Sequence, residues 1–132
     1  MKKRIYYHDT DCGGVVYYGN YLKFLEEART EYMDARGLSV KELMDKGIMF
    51  VVYRQEIDYK SPAFYGDVLD IETKVYAMSE IKTEFEYIIR NQDGKLTTRA
   101  KTIMVSVNKH LEPHACGPQV REKMLGPALQ TV

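Results

Sequence analysis

The chain has 132 residues, the usual size of one domain, and 45% of them are hydrophobic, enough to build a buried core. Lysine plus arginine equals aspartate plus glutamate at 19 each, so the formal net charge is zero. A balanced charge argues against broad nucleic-acid binding. We therefore expect a single domain spanning residues 1–132 with no nucleic-acid partner.

The chain shows no targeting or membrane-spanning pattern. The basic start, Met1–Arg4, is followed by polar residues rather than the roughly 7–15 apolar residues of a secretory signal. No apolar run approaches the roughly 20 residues that span a bilayer, so no transmembrane segment is expected. The two cysteines, Cys12 and Cys116, are too few for a disulfide framework. These features predict a cytoplasmic protein with reduced thiols.

The first part of the chain predicts a short strand, a bend and a long helix. The strand covers residues 4–8, and the bend is the polar, glycine-rich segment 9–14. The helix is predicted over Tyr21 to Arg36, with Asn20 as the N-cap and Gly37 as the residue that ends it. Its apolar residues fall within one stripe about 100° wide, which must be buried: Tyr21, Phe24, Leu25, Ala28, Tyr32 and Ala35.

The remainder predicts one short helix and then strands. Ser39 to Glu42 forms a capping-box pattern that begins a second helix, which Gly47 ends. Alternating apolar and polar residues then predict four strands, over residues 49–59, 68–77, 84–90 and 99–107. The inward positions of these strands include Val51, Tyr53, Leu69, Ile71, Phe85, Tyr87 and Ile89.

This order of elements predicts an α+β fold. Long strands joined by turns form a curved antiparallel sheet of about five strands, and one amphipathic helix is available to cover its apolar face. The strand at 99–107 is apolar on both faces at Ile103 to Val105. One helix cannot cover both faces, so we expect self-association to complete the burial.

The densest group of reactive side chains lies in the bend, from His8 to Cys12. Helix N-termini present unpaired N–H groups that stabilise a developing oxyanion, and a carboxylate slightly upstream can face them. Asp9 or Asp11 is therefore a candidate for attack on an activated acyl group. The alternative is that both aspartates simply cap a turn, which is a common role for such a stretch.

Other interpretations of these residues have less support. His8, Asp9 and Asp11 lack a second cluster with metal-ligand spacing. Cys12 has no evident histidine and aspartate partners for a nucleophile and is expected to be a small, half-buried residue. His110 and His114 lie in a tail with proline and glycine, where a solvated position is expected. Several of the eleven tyrosines are candidates to line an acyl pocket.

A long block of the sequence carries a family resemblance. Residues 7–21 read YHDTDCGGVVYYGNY, and the pattern continues through Phe24, Glu26, Ala28, Arg29 and Glu31. This block resembles the 4-hydroxybenzoyl-CoA thioesterase family, most nearly its branch of small bacterial acyl-CoA thioesterases associated with the Tol–Pal system. A looser likeness continues through residues 50–52, 59–63 and 66–67 and ends near Glu112.

The resemblance implies a hotdog fold, paired into homodimers and often homotetramers, with active sites at the dimer interface. It implies hydrolysis of acyl-CoA, with thioesters of acyl carrier protein as further candidate substrates. This hydrolysis requires no cofactor or metal. The Asp11 carboxylate would perform or assist the attack, and the backbone N–H of Tyr18 would polarise the thioester carbonyl. Tyr7, Gly14 and Val16 would line the substrate site.

The sequence departs from the family pattern at two places. Tyr18 stands where the closest branch usually has histidine, which matters only if the imidazole has a role. Lys82 is the only cation in residues 78–82, where a family member grips the coenzyme A phosphates with a basic stretch. Two rival functions are a non-catalytic protein that binds acyl thioesters and a metal-dependent hydrolase. A dehydratase or hydratase would need a His–Asp pair that the sequence does not place there.

Overall fold

The computed structural model describes residues 1–129, which form five strands and three α-helices. The strands make one antiparallel sheet in the order β1-β3-β4-β5-β2. The helices are α1 (Asn20–Asp34), α2 (Val40–Asp45) and α3 (Pro118–Leu125). The strands are β1 (Lys2–Arg4), β2 (Met49–Tyr59), β3 (Val68–Met78), β4 (Lys82–Arg90) and β5 (Leu96–Val107). The predicted α+β fold is confirmed.

The core lies between α1 and the inner face of the sheet. Alternate residues of β4 are buried, because successive side chains of a strand point to opposite faces. The apolar stripe of α1 packs against them, and the Tyr32 ring meets Phe85 edge to face at 5.9 Å between centroids. The buried residues of this interface include Phe24, Leu25, Ala28, Leu69, Ile71, Phe85, Tyr87 and Ile89. Burial of each large side chain contributes about 1.5–3 kcal/mol, which makes this layer the main source of stability.

The sequence predicts the C-terminal end of α1 correctly but not its N-cap. Gly37 adopts a φ of 74°, and the Leu38 N–H donates to the Met33 carbonyl at 2.9 Å, so the predicted end of the helix is confirmed. The predicted N-cap is wrong. Asn20 is the first helical residue, the N-cap is Gly19, and no side chain caps this end. The Asn20 amide instead bonds to the chain upstream, as described below. In α2, Ser39 is the cap, since its side chain accepts the Glu42 N–H.

The first strand is shorter than predicted. It ends at Arg4, and residues 7–9 form one turn of 3₁₀ helix rather than a strand. The Ile5 N–H donates to the Asp67 carbonyl at 2.8 Å, and the Ile5 carbonyl accepts the Gly66 N–H at 2.9 Å, so this residue is still paired with the turn before β3. Beyond it, the Asp9 carboxylate accepts the Tyr6 N–H at 3.0 Å and bends the chain. The prediction for residues 5–8 was wrong because this local side-chain bond outweighs strand propensity.

β2 is the long edge strand of the sheet, and its middle is exposed. Val51, Val52 and Tyr53 are 39%, 50% and 66% exposed. A bulge between Val52 and Arg54 breaks the alternation. Val51 and Tyr53 were predicted to point inward, and this prediction was wrong, because nothing in the single chain covers the outer side of an edge strand.

The C-terminal helix α3 was not predicted. Gly117 has a φ of 94° and Pro118 occupies the first turn, where its missing N–H is not needed. Val120 and Met124 are buried, and the Tyr32 hydroxyl donates to the Met124 carbonyl at 2.8 Å. The helix is thus held by contacts with α1 and β3. Its traces in the sequence are Gly117 and Pro118 at its start and two apolar residues four positions apart.

Candidate functional site

The bend between β1 and α1 is a closed loop with Asp11 at its tip. The Asp11 N–H donates to the Val15 carbonyl at 2.9 Å, and the Gly14 N–H donates to the Asp11 carbonyl at 3.1 Å. Thr10 and Val16 form a bridge below these bonds. Gly14 has a φ of 76°, a conformation that favours glycine. The glycine pair therefore allows the chain to turn tightly around the Asp11 side chain.

The Asp11 carboxylate faces solvent. Its Oδ1 accepts the Gly13 N–H at 2.8 Å, which fixes the side chain in an Asx turn. Within residues 1–129, its Oδ2 has no hydrogen-bond partner. The turn-capping role considered from the sequence is thus present, and one carboxylate oxygen is still free for chemistry.

Asp9 is in the opposite environment. Its side chain is 2% exposed, its Oδ2 accepts the Tyr6 N–H, and its Oδ1 lies 3.5 Å from His8 Nε2. Buried carboxylates need such partners because removal from water is costly. Asp9 therefore holds the loop rather than facing a ligand.

The loop is attached to the start of α1 through the Asp9 carbonyl. This oxygen accepts the Tyr17 N–H at 3.1 Å and the Asn20 side-chain amide at 2.7 Å. The N–H groups of Asn20 and Tyr21 are bonded to the carbonyls of the preceding turn. In the part of the chain that the structure describes, the Tyr18 N–H has no acceptor. The Gly19 N–H has none either, so the helix start offers two free donors, at the two residues that precede the first helical residue.

Two other tyrosines lie close to Tyr18. The Tyr18 carbonyl accepts the Tyr59 hydroxyl at 3.2 Å, and the Tyr17 and Tyr18 rings are 4.6 Å apart. A hydrogen bond with Tyr18 raises the pKa of the Tyr17 phenol, and burial raises the pKa of the Tyr59 phenol. Both phenols are therefore neutral at neutral pH. Tyr59 is the last residue of β2, so the donor lies at one end of the exposed edge strand.

The remaining predicted site residues have different exposures. Tyr7 is 76% exposed and meets the Tyr65 ring edge to face at 6.0 Å. Gly14 is half-buried. Val16 is buried, and its N–H donates to the Ala63 carbonyl at 2.8 Å. The Val16 side chain thus belongs to the core beneath the loop.

The cysteines are both free. Cys12 is exposed, so the expectation of a half-buried residue was wrong: it lies at the outer side of the loop. Cys116 is buried, and burial raises the pKa of its thiol. Among residues 1–129 no group of three or more His, Cys, Asp or Glu side chains is placed to hold a metal ion. No helix in the same range is long and apolar enough to cross a membrane.

Among the grooves that border α1 within residues 1–129, two differ in their lining. One is polar, has a volume of about 570 Å³, and is lined by residues that include His8, Asp9 and Lys23. The other is mostly apolar, has a volume of about 410 Å³, and lies between α1, α2 and the first half of β2. Its walls include Met33, Leu43, Ile48, Phe50, Met104 and Met124. Asp11 and Tyr18 line neither groove, so in one chain they lie on open surface.

Sequence reasoning did not identify three residues that shape this site: Asp9 as the buried anchor, Asn20 as the link to the loop, and Tyr59 as the contact from β2. The spacing of Asp9 and Asn20 carried no periodic pattern, and Tyr59 comes from a distant strand. The one sequence signal at Asn20 was a polar residue at the start of a helix, and this signal led to the wrong prediction of an N-cap.

Solved structures define the class of fold. A DHNA-CoA thioesterase from Staphylococcus aureus is 28% identical with a TM-score of 0.89, covering 93% of this chain and 85% of that chain. The gentisyl-coenzyme A thioesterase BH1999 is 25% identical with a TM-score of 0.86, covering 94% and 98% of the two chains. The antiparallel sheet curved around α1 is therefore the hotdog fold of these thioesterases, as predicted.

Sequence comparisons define the family. The Thioesterase-like superfamily model matches residues 6–124. Acyl-CoA thioesterase YbgC of Haemophilus influenzae is 45% identical over 120 residues, 89% of this chain and 88% of the relative. Acyl-CoA thioester hydrolase YbgC of Escherichia coli O157:H7 is 37% identical over 105 residues, 80% of this chain and 78% of the relative. The chain therefore belongs to the Thioesterase-like superfamily, and the predicted resemblance is confirmed at the level of the family.

Proposed function

We propose that this protein hydrolyses the thioester bond of acyl-CoA, with Asp11 as the nucleophile or general base and the Tyr18 N–H as the oxyanion donor. One observation carries the proposal: the free Tyr18 N–H and the exposed Asp11 carboxylate belong to one loop that is hydrogen-bonded to the start of α1. The names of the YbgC relatives support acyl-CoA as the substrate class.

The chemistry needs little more than these two groups. The leaving thiolate has a pKa near that of free cysteine, about 8.5, so its departure needs no strong acid. The Tyr18 N–H, at the positive end of the helix dipole, stabilises the charge on the carbonyl oxygen. Asp11 takes a proton from water as the water oxygen bonds to the carbonyl carbon, and the C–S bond then breaks. In the alternative route Asp11 attacks the carbon itself, expels the thiolate and forms an anhydride that water cleaves.

We propose that the active unit is a homodimer formed along the β2 edges, or a homotetramer of two such dimers. The exposed Val51, Val52 and Tyr53 lie beside unpaired backbone groups, which natural proteins normally cover. A two-fold axis pairs identical strands antiparallel, so the first half of one β2 lies beside the last residue of the other. The apolar groove of one subunit then adjoins the Asp11 and Tyr18 of its partner.

In such a dimer the acyl group occupies the apolar groove and the carbonyl lies between Asp11 and Tyr18. The groove falls in the volume range of small-molecule sites, roughly 300–1,000 Å³, and its lining is mainly apolar. Tyr7 and the loop main chain at Gly14 and Val16 border the path of the substrate. We also propose a cytoplasmic location, since both cysteines are free.

A thiol-release assay tests the proposal. The purified protein is offered short, medium, long and aromatic acyl-CoA thioesters and matching thioesters of acyl carrier protein, with and without a chelator. We expect release from acyl-CoA that the chelator leaves unchanged. Binding without release from any thioester would indicate a non-catalytic acyl-thioester-binding protein, and loss of activity to the chelator would indicate a metal-dependent hydrolase.

A further inference from the structure

We infer that Asn20 is a positioning residue for the reaction: its side-chain amide fixes the loop that carries Asp11 against the start of α1. This inference rests on the proposed function, because it concerns the placement of the same carboxylate and the same oxyanion donor. Asn20 itself would touch neither the substrate nor the reacting atoms.

The geometry of the Asp9 carbonyl supports this role. The oxygen accepts the N–H of Tyr17 at 3.1 Å and the Asn20 amide at 2.7 Å. These donors come from the residue before Tyr18 and from the second residue after it. The Asp9 oxygen is therefore bonded to residues on both sides of Tyr18 in the chain, and Tyr18 is the residue with the free N–H. Asp11 follows Asp9 by two residues, so the distance between carboxylate and donor depends on this attachment.

A role in helix capping does not account for the Asn20 side chain. An N-cap side chain accepts an N–H from its own helix, whereas Asn20 donates its amide to a residue 11 positions upstream. Gly19 is the N-cap and no side chain caps this end. The link at Asn20 therefore joins two segments of the site and does not stabilise the helix end directly.

The loop has further attachments that keep it folded without Asn20. Asp9 still accepts the Tyr6 N–H, the Val16 N–H still donates to the Ala63 carbonyl, and the Tyr65 N–H still donates to the Gly14 carbonyl. Loss of the Asn20 amide thus leaves the loop folded, but the Asp9 carbonyl keeps only the Tyr17 N–H at this end of α1, so Asp9 can shift relative to Tyr18. A displacement of about 1 Å at a reacting centre lowers a rate by about 100-fold.

The first test is the kinetics of Asn20→Ala. We expect kcat to fall by roughly 10- to 100-fold while KM stays within about two-fold, because the substrate contacts remain and the alignment is lost. Asn91→Ala is the matched control. The Asn91 side chain accepts two backbone N–H groups in the turn between β4 and β5, away from the site, so its loss affects stability without affecting alignment.

The second test uses Asn20→Asp and pH. The introduced carboxylate has nearly the same shape, but when ionised it has no donor and faces the Asp9 carbonyl oxygen. When protonated, its O–H restores a donor to that oxygen. The ordinary pKa of aspartate is about 3.9, and a facing carbonyl oxygen raises it because it disfavours the ionised form. We expect the activity of this variant, divided by that of the wild type at the same pH, to rise as pH falls from 8 to 4. The same ratio for Asn20→Ala is expected to stay flat.

Dividing by the wild-type activity at each pH cancels the effect that other titratable groups have on the rate. The titratable groups that face the same region are identical in all three proteins: His8, Asp9, Asp11 and Tyr17. Activity is followed by loss of thioester absorbance, which does not require thiol ionisation. A purely structural role would lower melting temperature and activity in both variants without this pH-dependent recovery.

The outcomes separate the inference from the proposed function. If the wild type hydrolyses thioesters and Asp11→Asn does not, but Asn20→Ala retains wild-type kcat, the inference is wrong and the proposed function stands. A flat activity ratio for Asn20→Asp between pH 8 and 4 would also overturn it. If Asp11→Asn keeps the full rate, the assignment of Asp11 fails first.

Discussion

Asp9 and Asp11 are two residues apart, yet Asp9 is 2% exposed with both carboxylate oxygens in contact with polar groups, whereas Asp11 is exposed with one oxygen free. The loop between β1 and α1 thus separates a buried, anchoring carboxylate from an exposed one, which we propose to be the reactive group. Because the two environments differ, substitution of one aspartate should not have the same effect as substitution of the other.

Replacement of each aspartate by asparagine should have different effects. Asp11→Asn keeps an oxygen for the Gly13 N–H, so we expect the free energy of unfolding to change by less than about 0.5 kcal/mol. Its kcat should fall by at least about 100-fold, since a catalytic base or nucleophile is lost. Asp9→Asn should lower the free energy of unfolding by about 1–3 kcal/mol, because a buried charged acceptor is lost.

Thiol-release kinetics and urea unfolding of both variants check this prediction. A wild-type rate in Asp11→Asn would end the proposal for that residue. A loss of rate in Asp9→Asn together with full activity in Asp11→Asn would assign the chemistry to the other carboxylate.

Substitutions at Tyr18 separate its backbone from its side chain. Tyr18→Phe keeps the ring and the N–H, and Tyr18→His restores the residue of the resembled branch. We expect both to keep kcat within a few-fold of the wild type, since the proposed donor is the main-chain N–H. Tyr18→Pro removes that donor, and loss of one oxyanion donor costs about 100- to 1,000-fold in kcat.

Circular dichroism and thermal unfolding establish that the proline variant retains the fold. A folded Tyr18→Pro with normal activity would exclude the N–H as the oxyanion donor. A large loss in Tyr18→Phe would instead assign a role to the phenol.

The proposed dimer predicts that a charge on the edge strand abolishes activity. Val52 is 50% exposed on β2, and lysine on an edge strand opposes strand pairing. We expect Val52→Lys to elute as a monomer and to lose most of its thioesterase activity, because each site needs a groove from the partner. Val68→Lys, at an exposed valine of β3, is the control and should remain an active dimer. Full activity in a monomeric Val52→Lys would show that one chain contains the whole site.

The buried Tyr87 predicts a loss of stability in alkali. Burial raises the pKa of its phenol above the usual value of about 10, while the Arg29 guanidinium opposes the shift. Above pH 10 the unfolded state releases this proton and the folded state retains it, so stability falls as pH rises. Tyr87→Phe carries no such proton. At neutral pH it should be less stable by about 1 kcal/mol, since the hydrogen bonds of the hydroxyl to Thr102 and Arg29 are lost.

Urea unfolding of both proteins from pH 7 to 11 measures this difference. We expect the stability advantage of the wild type to be constant below about pH 10 and to shrink above it. An advantage that stays constant up to pH 11 would mean that folding does not shift the pKa of this phenol.

The elements with a periodic pattern were predictable. The stripe of α1 holds from Tyr21 to Tyr32, β4 alternates throughout, and β3 alternates as far as the bulge between Val75 and Ala77, so their positions and most of their inner faces followed from the sequence. The exception in the predicted stripe is Ala35, which was predicted to be buried and is exposed. Gly37 marked the end of α1 because its φ of 74° is a conformation that most residues avoid. In each case the information is local, within a few residues of the feature it describes.

The wrong predictions arose where a contact with a distant residue, or the lack of one, overrides the local sequence pattern. Asn20 looked like a cap because its type favours helix starts, but the Asp9 carbonyl competes for its amide. Val51 and Tyr53 follow the alternation of an inner face, but β2 lies at the edge of the sheet. The helix α3 has only Val120 and Met124 as an apolar pattern, and it is held in place by contacts with α1 and β3.

The sequence by itself determined the α+β fold, the long helix, the carboxylate loop before it and the family to which both belong, because periodic burial and turn-forming residues act over short distances. The tertiary structure alone decided that Asp9 is buried and Asp11 exposed, and that the Tyr18 N–H has no acceptor within residues 1–129. Burial and hydrogen-bond partners join segments far apart in the chain, as Tyr59 joins Tyr18 across 41 positions, and no local pattern encodes them.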